Sequence, residues 1–240
     1  AVNEHERDYA LIREHVEALG LIVRGGFHPR PGDAVPAVAD GRPARSVVLV
    51  GNVGDALWPV FSASREARDG EPHPLDRWSR RVIGAIAAEF DGTACFPSDG
   101  PPWPPFVAWA RRAEPVTASP IGILVHPDYG LWHAYRGAIL LDREIALPAP
   151  DRRPPPCDTC ADQPCRSACP VGAFAPGGYD VTACTDFLSG EAGARCAGGC
   201  LARRACPVGQ QYKYPRQQQA LHLDAFLVAQ GREPRFGSGS

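Results

Sequence analysis

Cys157-Asp-Thr-Cys160-Ala-Asp-Gln-Pro-Cys165-Arg-Ser-Ala-Cys169-Pro170, followed by Cys184, Cys196, Cys200 and Cys206-Pro207, carries eight of the nine cysteines of this 240-residue chain. Both halves close on one phrase, Ala168-Cys169-Pro170-Val171-Gly172 and Ala205-Cys206-Pro207-Val208-Gly209. A chain gains little from clustered thiols unless something binds them. Thiolate sulfur is a soft ligand that suits iron, and four such sulfurs complete a [4Fe–4S] cube. Two halves of four are therefore read as ligands for two [4Fe–4S] clusters.

The spacing resembles the bacterial ferredoxin run C-x2-C-x2-C-x3-C-P, whose fourth cysteine ligates the other cluster. The x2, the x3 and the Cys-Pro ending are kept, while the middle gap is x4 and contains Pro164. The second half has eleven, three and five residues between successive cysteines. Ferredoxin crossing would give Cys157, Cys160, Cys165 and Cys206 to one cluster, and Cys169, Cys184, Cys196 and Cys200 to the other. Disulfides and zinc are the competing readings. Disulfides would imply a secreted, loop-rich scaffold, and the charged start Asn3-Glu4-His5-Glu6-Arg7 is no secretory signal. Zinc would suit the Cys157/Cys160 pair but does not account for the twinned Cys-Pro endings. Cys95 stands apart and is read as a small core residue.

Apolar residues make up 44% of the chain, enough for a sizeable core. With a formal charge of −2 and no basic run, composition gives no support for a nucleic-acid partner. No stretch is long and apolar enough to span a membrane. Thiolate clusters need reducing conditions during assembly, so a cytoplasmic location is expected.

Before the cysteines, helical and strand patterns alternate. Tyr9, Ile12, Val16 and Leu19 form a helical stripe that Gly20 would stop. Ser46–Val50 reads as a buried strand, with Gly51-Asn-Val-Gly54 as a strand-to-helix turn. Residues 75–90 and 106–113 read as helices and Thr93–Phe96 as a short strand, with the stiff Pro101–Pro105 loop around Trp103 between. Ile121–Val125 and Trp132–Leu141 read as two strands joined by the turn His126-Pro-Asp-Tyr-Gly130. The division predicted is a cofactor- or substrate-binding domain over 1–147, a proline-rich linker over 148–156, a two-cluster domain with a closing helix over 157–236, and a flexible tail over 237–240.

Order and motifs together resemble the epoxyqueuosine reductase and reductive dehalogenase superfamily, over roughly residues 75–209. Besides the cysteines, His126-Pro-Asp-Tyr-Gly-Leu-Trp132 is similar to the family's x-Pro-x-Tyr-Gly-Ser-Trp, and Asp99-Gly-Pro-Pro102 to its Asp-x-x-Pro. The resemblance implies an α+β fold: an N-terminal layered, nitroreductase-like α/β domain and then a small, loop-rich, bacterial ferredoxin-like domain. It implies cobalamin as the favoured cofactor, with flavin second, and Asp99 as catalytic acid, with Trp103 and Tyr129 bordering the cofactor. The segment Glu114-Pro-Val-Thr-Ala-Ser-Pro120 departs from the family pattern, and the chain ends soon after the cysteines. The expected activity is passage of single electrons through two clusters to a cofactor or small-molecule substrate. A ferredoxin, flavodoxin or reductase would be the donor, and neither nucleic acid nor membrane a partner. The alternative is a ferredoxin-like electron carrier whose N-terminal domain only docks partners.

Overall fold

The structure, a computed structural model, describes residues 4–237. Along the chain come α1 (Glu4–Glu17), β1 (Ile22–Phe27), β2 (Ser46–Val53), α2 (Trp58–Ser62), α3 (Pro74–Glu89), β3 (Thr93–Cys95) and α4 (Phe106–Ala113). Then follow β4 (Thr117–Ala118), β5 (Leu124–Val125), β6 (His133–Leu141), α5 (Pro164–Ser167), β7 (Phe174–Ala175), β8 (Gly178–Tyr179), α6 (Val181–Ser189), α7 (Leu201–Ala205) and α8 (Arg216–Ala229).

The chain forms two compact units. The first runs to Pro115 and takes in His133–Arg153. Its antiparallel sheet has the order β1-β2-β6-β3. Every residue of β2 is buried, as a β-branched run must be when both faces of its sheet are covered. Helix α3 packs on β6 and β3, while α1 and α4 pack on β1. Leu75, Trp78, Val82, Ile83 and Ile86 form the buried stripe of α3. Full burial of such side chains stabilises by about 1.5–3 kcal/mol each.

Gly51 lies within β2, where the sequence suggests a turn; only Gly54, with φ +58, turns the chain. A Cβ at Gly51 would stand 2.1 Å from the Ala134 carbonyl oxygen, where the β2–β6 register shifts. Glycine is there for close backbone approach.

Ahead of α3, Arg77 holds Asp69 at 2.7 and 2.8 Å and the Pro72 carbonyl at 2.9 Å. Buried Glu66 accepts from Arg81 at 2.6 and 2.9 Å. Those Arg81 bonds hold the Glu66 carboxyl well below the ordinary carboxylate range, against its burial. A depressed carboxyl stabilises the fold above its unfolded pKa, near 4.3, and the contribution fades as pH falls through the folded value. Glu66→Gln should therefore be less stable than the parent at pH 7, with the gap in urea midpoint narrowing below about pH 4. An unchanged gap at pH 3 would contradict this.

The second unit comprises Val116–Trp132 and the chain from Pro154 onward. A boundary at 147/148, as expected from the sequence, places 116–132 with the first domain, whereas the segment packs with the second unit. Residues 121–125 and 132–141 are also not partners in one sheet. Strand β5 pairs with β4 through the tight turn at Ser119–Ile123, whereas β6 enters the four-stranded sheet. Pro120 and Gly122 (φ +85) break the expected strand. The following turn closes on itself, His126 and Gly130 exchanging backbone hydrogen bonds at 2.9 Å. His126 Nδ1 accepts from the amides of Asp128 and Tyr129 at 3.1 and 3.4 Å, fixing that turn.

Residues 148–154 are exposed and irregular. Asp180 caps α6, accepting from the Ala183 amide at 2.8 Å. Helix α8 buries Ala220 and Leu227. Of the expected tail, residues 238–240 lie outside the described residues. Among the described residues no helix is long and apolar enough to cross a membrane. Ile121, Val125, Leu131, Cys165, Ala202 and Cys206 form one core of the second unit, and Leu188, Cys196 and Leu227 another. A core this thin, and this rich in cysteine, is the kind that a bound metal group staples.

Candidate functional site

The eight clustered cysteines fall into two groups of four. Cys157, Cys160, Cys165 and Cys206 line one small cavity, with Val125, Leu131 and Pro207 as apolar wall. Cys157 feels the charges of Cys206, Cys165 and Cys160, and Cys206 those of Cys165 and Cys160. In the second group Cys196 feels Cys200, Cys184 and Cys169, and Cys184 feels Cys200 and Cys169. Cys169 and Cys200 of the second group also pack against the core that holds Cys165 and Cys206 of the first.

Local chain geometry explains the placement. Pro164 opens α5 after Gln163 in the left-handed region, so the residue inside the x4 gap starts the helical turn that carries Cys165. Cys206 directly follows α7. Gly199, at φ +105, turns the chain into Cys200.

Burial first, and neighbouring cysteines next, raise the thiols of Cys157, Cys165 and Cys184 above the ordinary value. Backbone amides oppose this. Leu201 N–H donates to Cys196 sulfur, Ala202 and Arg203 to Cys200, and Val208 to Cys206. The Ala173 amide donates to Cys169 Sγ at 3.4 Å. Four buried or half-buried, mutually repelling sulfurs are poor anions alone and good ones around positive iron, since a ligating cysteine must lose its proton. Amides aimed at sulfur suit that state too. Among the described residues no three His, Cys, Asp or Glu side chains are close enough to grip one metal ion. The donor set fits [4Fe–4S] clusters.

Cys95 is of another kind. It is buried in the first unit, and burial, then the Asp99 carboxylate, push its thiol up to about 11.

Asp99 and Trp103 lie in the first unit and Tyr129 in the second. Asp99 accepts from the Phe96 amide at 2.7 Å and pairs with Arg80. Its side chain is 35% exposed and closes a turn on the Phe96 amide. Trp103 is 62% exposed, its ring packed on Gly100. Tyr129 stacks on His126 at 4.3 Å and meets the edge of Tyr212 at 5.2 Å.

Neither a protein-family model nor a curated protein matches this sequence. In fold, the chain resembles epoxyqueuosine reductase structures. One, solved with an epoxyqueuosine-modified tRNA-Tyr stem loop, is 16% identical, with 87% of this chain and 68% of that chain covered and a TM-score of 0.47. A selenomethionine-labelled epoxyqueuosine reductase is 15% identical over 88% and 69% of the two chains, with a TM-score of 0.49. The enzyme from Bacillus subtilis, with its catalytic aspartate loop swung out of the active site, is 16% identical over 86% and 67%, with a TM-score of 0.45. Likeness at this identity concerns fold alone.

Sequence reasoning missed two arrangements. In the first unit, fully buried Arg24 pairs with Glu114 at 2.6 Å, and the Tyr135 hydroxyl donates to Glu114 at 2.7 Å. A single arginine inside the apolar run 21–27 was the available signal, because buried charge is retained only when paired. In the second unit, the Arg203 guanidinium lies 4.7 Å from the Trp132 ring and 4.6 Å from the Tyr214 ring. Its Nε and one Nη donate to the Leu131 carbonyl at 2.9 and 2.5 Å. No spacing rule would have joined residues so far apart.

Proposed function

We propose that this chain is an iron–sulfur redox protein. Cys157, Cys160, Cys165 and Cys206 hold one [4Fe–4S] cluster; Cys169, Cys184, Cys196 and Cys200 hold the other, in a ferredoxin-like layout. The observation that carries this reading is the sorting of eight cysteines into two quartets, one lining a single cavity. Bound clusters of this kind supply one-electron transfer. The chain's own contribution is to present thiolates, direct amides at their sulfurs, and keep water away with Val125, Leu131 and Leu188.

The reading extends to an acceptor held by the first unit, with cobalamin the first choice, flavin the second and a small-molecule substrate the third. The donor would be a ferredoxin, a flavodoxin or a reductase. The cavity beside Ser98, lined also by Arg80, Phe96, Tyr135 and Arg136, measures about 160 Å³. Sites for drug-sized ligands run to about 300–1,000 Å³, so this cavity by itself does not fit a corrin or a flavin, and no step is routed through either. Asp99 is proposed as a proton donor to whatever is bound near it. The tRNA stem loop of one structural neighbour stands against the expectation of no nucleic-acid partner. The expectation is kept here because a chain of charge −2 without a basic run offers few phosphate contacts.

Anaerobically purified protein should contain about eight irons and eight sulfides per chain, four of each per cube. Zinc with little sulfide would overturn the reading. Titration of the same protein with cobalamin and with flavin mononucleotide then tests the acceptor. If neither binds, and Asp99→Asn leaves every reductase activity unchanged, the chain is an electron carrier.

A further inference from the structure

Arg203 stands at the second quartet as a cation without a paired anion. It borders the same cavity as Cys184, Cys200 and Tyr179. The Trp132 and Tyr214 rings lie 4.7 and 4.6 Å from its guanidinium, and the Leu131 carbonyl accepts from its Nε and one Nη. Among the described residues no carboxylate pairs with this half-buried side chain. A cation withdrawn from water is ordinarily kept where an opposite charge meets it. The quartet itself can supply that charge, because ligating cysteines are thiolates. The charge of Arg203 reaches Cys200.

Tyr179 acts on the same quartet. It ends β8 directly before Asp180, the cap of the helix that carries Cys184. Its ring stacks on Phe174 at 4.8 Å, and its hydroxyl donates to the Cys184 sulfur.

The first quartet has no match for Arg203. No charged side chain lines its cavity; Ser119 and Gln163 are the polar members of that wall besides the cysteines. Arg166 acts on Cys165 and Asp158 on Cys157, but the two are exposed, opposite in sign and screened by water. At the second quartet the exposed Asp180 acts on Cys184 and is screened likewise. Backbone amides meet sulfurs in both quartets and do not distinguish them.

We propose that Arg203 and Tyr179 raise the reduction potential of the cluster at the second quartet above that of the first. A cluster gains negative charge when it takes an electron. A fixed cation and a hydroxyl donor beside its sulfurs stabilise that state, and cluster potentials follow net charge and hydrogen bonds to sulfur. An electron shared between the two clusters therefore rests on the second, one being oxidised as the other is reduced, and the donor proposed above supplies it. The inference rests on the two-cluster reading.

The test is a redox titration of anaerobically purified, cluster-loaded protein, followed by electron paramagnetic resonance. It is run at about pH 8, where an ordinary imidazole is neutral and His222, which also borders the cavity, adds no charge. Cys206→Ala, which keeps the second cluster, identifies that cluster's signal. Native protein should show two one-electron steps, with this signal at the higher potential. Arg203→Gln, still able to donate to the Leu131 carbonyl, should weaken the higher step about tenfold, which for one electron is about 59 mV. The other step should stay in place. Arg203→Lys, which keeps the charge, should restore most of the loss. Tyr179→Phe should lower the same step at unchanged iron content, and it decides the matter if substitution of Arg203 prevents folding. The proposal is overturned if the second cluster has the lower potential. It is overturned too if Arg203→Gln moves both steps alike or neither, since Arg203 would then only clamp Leu131. Protein without iron and sulfide would instead sink the two-cluster reading, and this inference with it.

Discussion

Cys206→Ala is expected to lose about four of eight irons while keeping the cluster of Cys169, Cys184, Cys196 and Cys200. Cys200→Ala should lose the other four. Cys206 and Cys200 are close in sequence yet belong to different quartets: Cys206 shares a cavity with Cys157, Cys160 and Cys165, whereas Cys200 couples to Cys169. Electron paramagnetic resonance of the reduced variants should show two different single-cluster spectra that together account for the native one. The grouping is wrong if both variants retain the same cluster. On the proposed grouping each cluster would tie both halves of the cysteine region together, so loss of either should also loosen the second unit. Faster proteolysis after Pro154, with the first unit left intact, is the readout.

The twin phrases Cys-Pro-Val-Gly should respond very differently to one substitution. Gly172 and Gly209 are both in the left-handed region, at φ +61 and +71. A Cβ on Gly172 would meet nothing within 4 Å, while one on Gly209 would stand 2.3 Å from the Tyr129 carbonyl. Gly172→Ala should cost only the left-handed backbone penalty, about 1–2 kcal/mol. Gly209→Ala adds an overpacking term and should cost about 2–5 kcal/mol in all. Gly130→Ala should behave like Gly209→Ala, because its Cβ would stand 2.0 Å from the Val208 carbonyl oxygen. Melting temperatures of the three cluster-loaded variants check this, and equal losses at Gly172 and Gly209 would refute the close approach.

Much of this was legible in residue order, because it is local. Helix α4 coincides with the expected 106–113, and α3 carries the expected stripe from Leu75 to Ile86, since a period of 3.6 is written into consecutive residues. Strand β2 announced itself by its valines. The cysteine spacings grouped Cys157, Cys160 and Cys165 with Cys206, and these four line one cavity. What spacing could not supply was the fate of 116–132. Its apolar residues read as strand, and only tertiary structure decides that Gly130 meets Val208, that Arg203 holds the Leu131 carbonyl, and that the segment joins the cysteines rather than the sheet. Pairing of Arg24 with Glu114, and the close packing of Gln219 on Gly199, are of the same kind. Periodicity and capping act over a few residues and can be read in order. Backbone close approach, buried ion pairs and cavities join residues scores of positions apart, and exist only once the chain has packed.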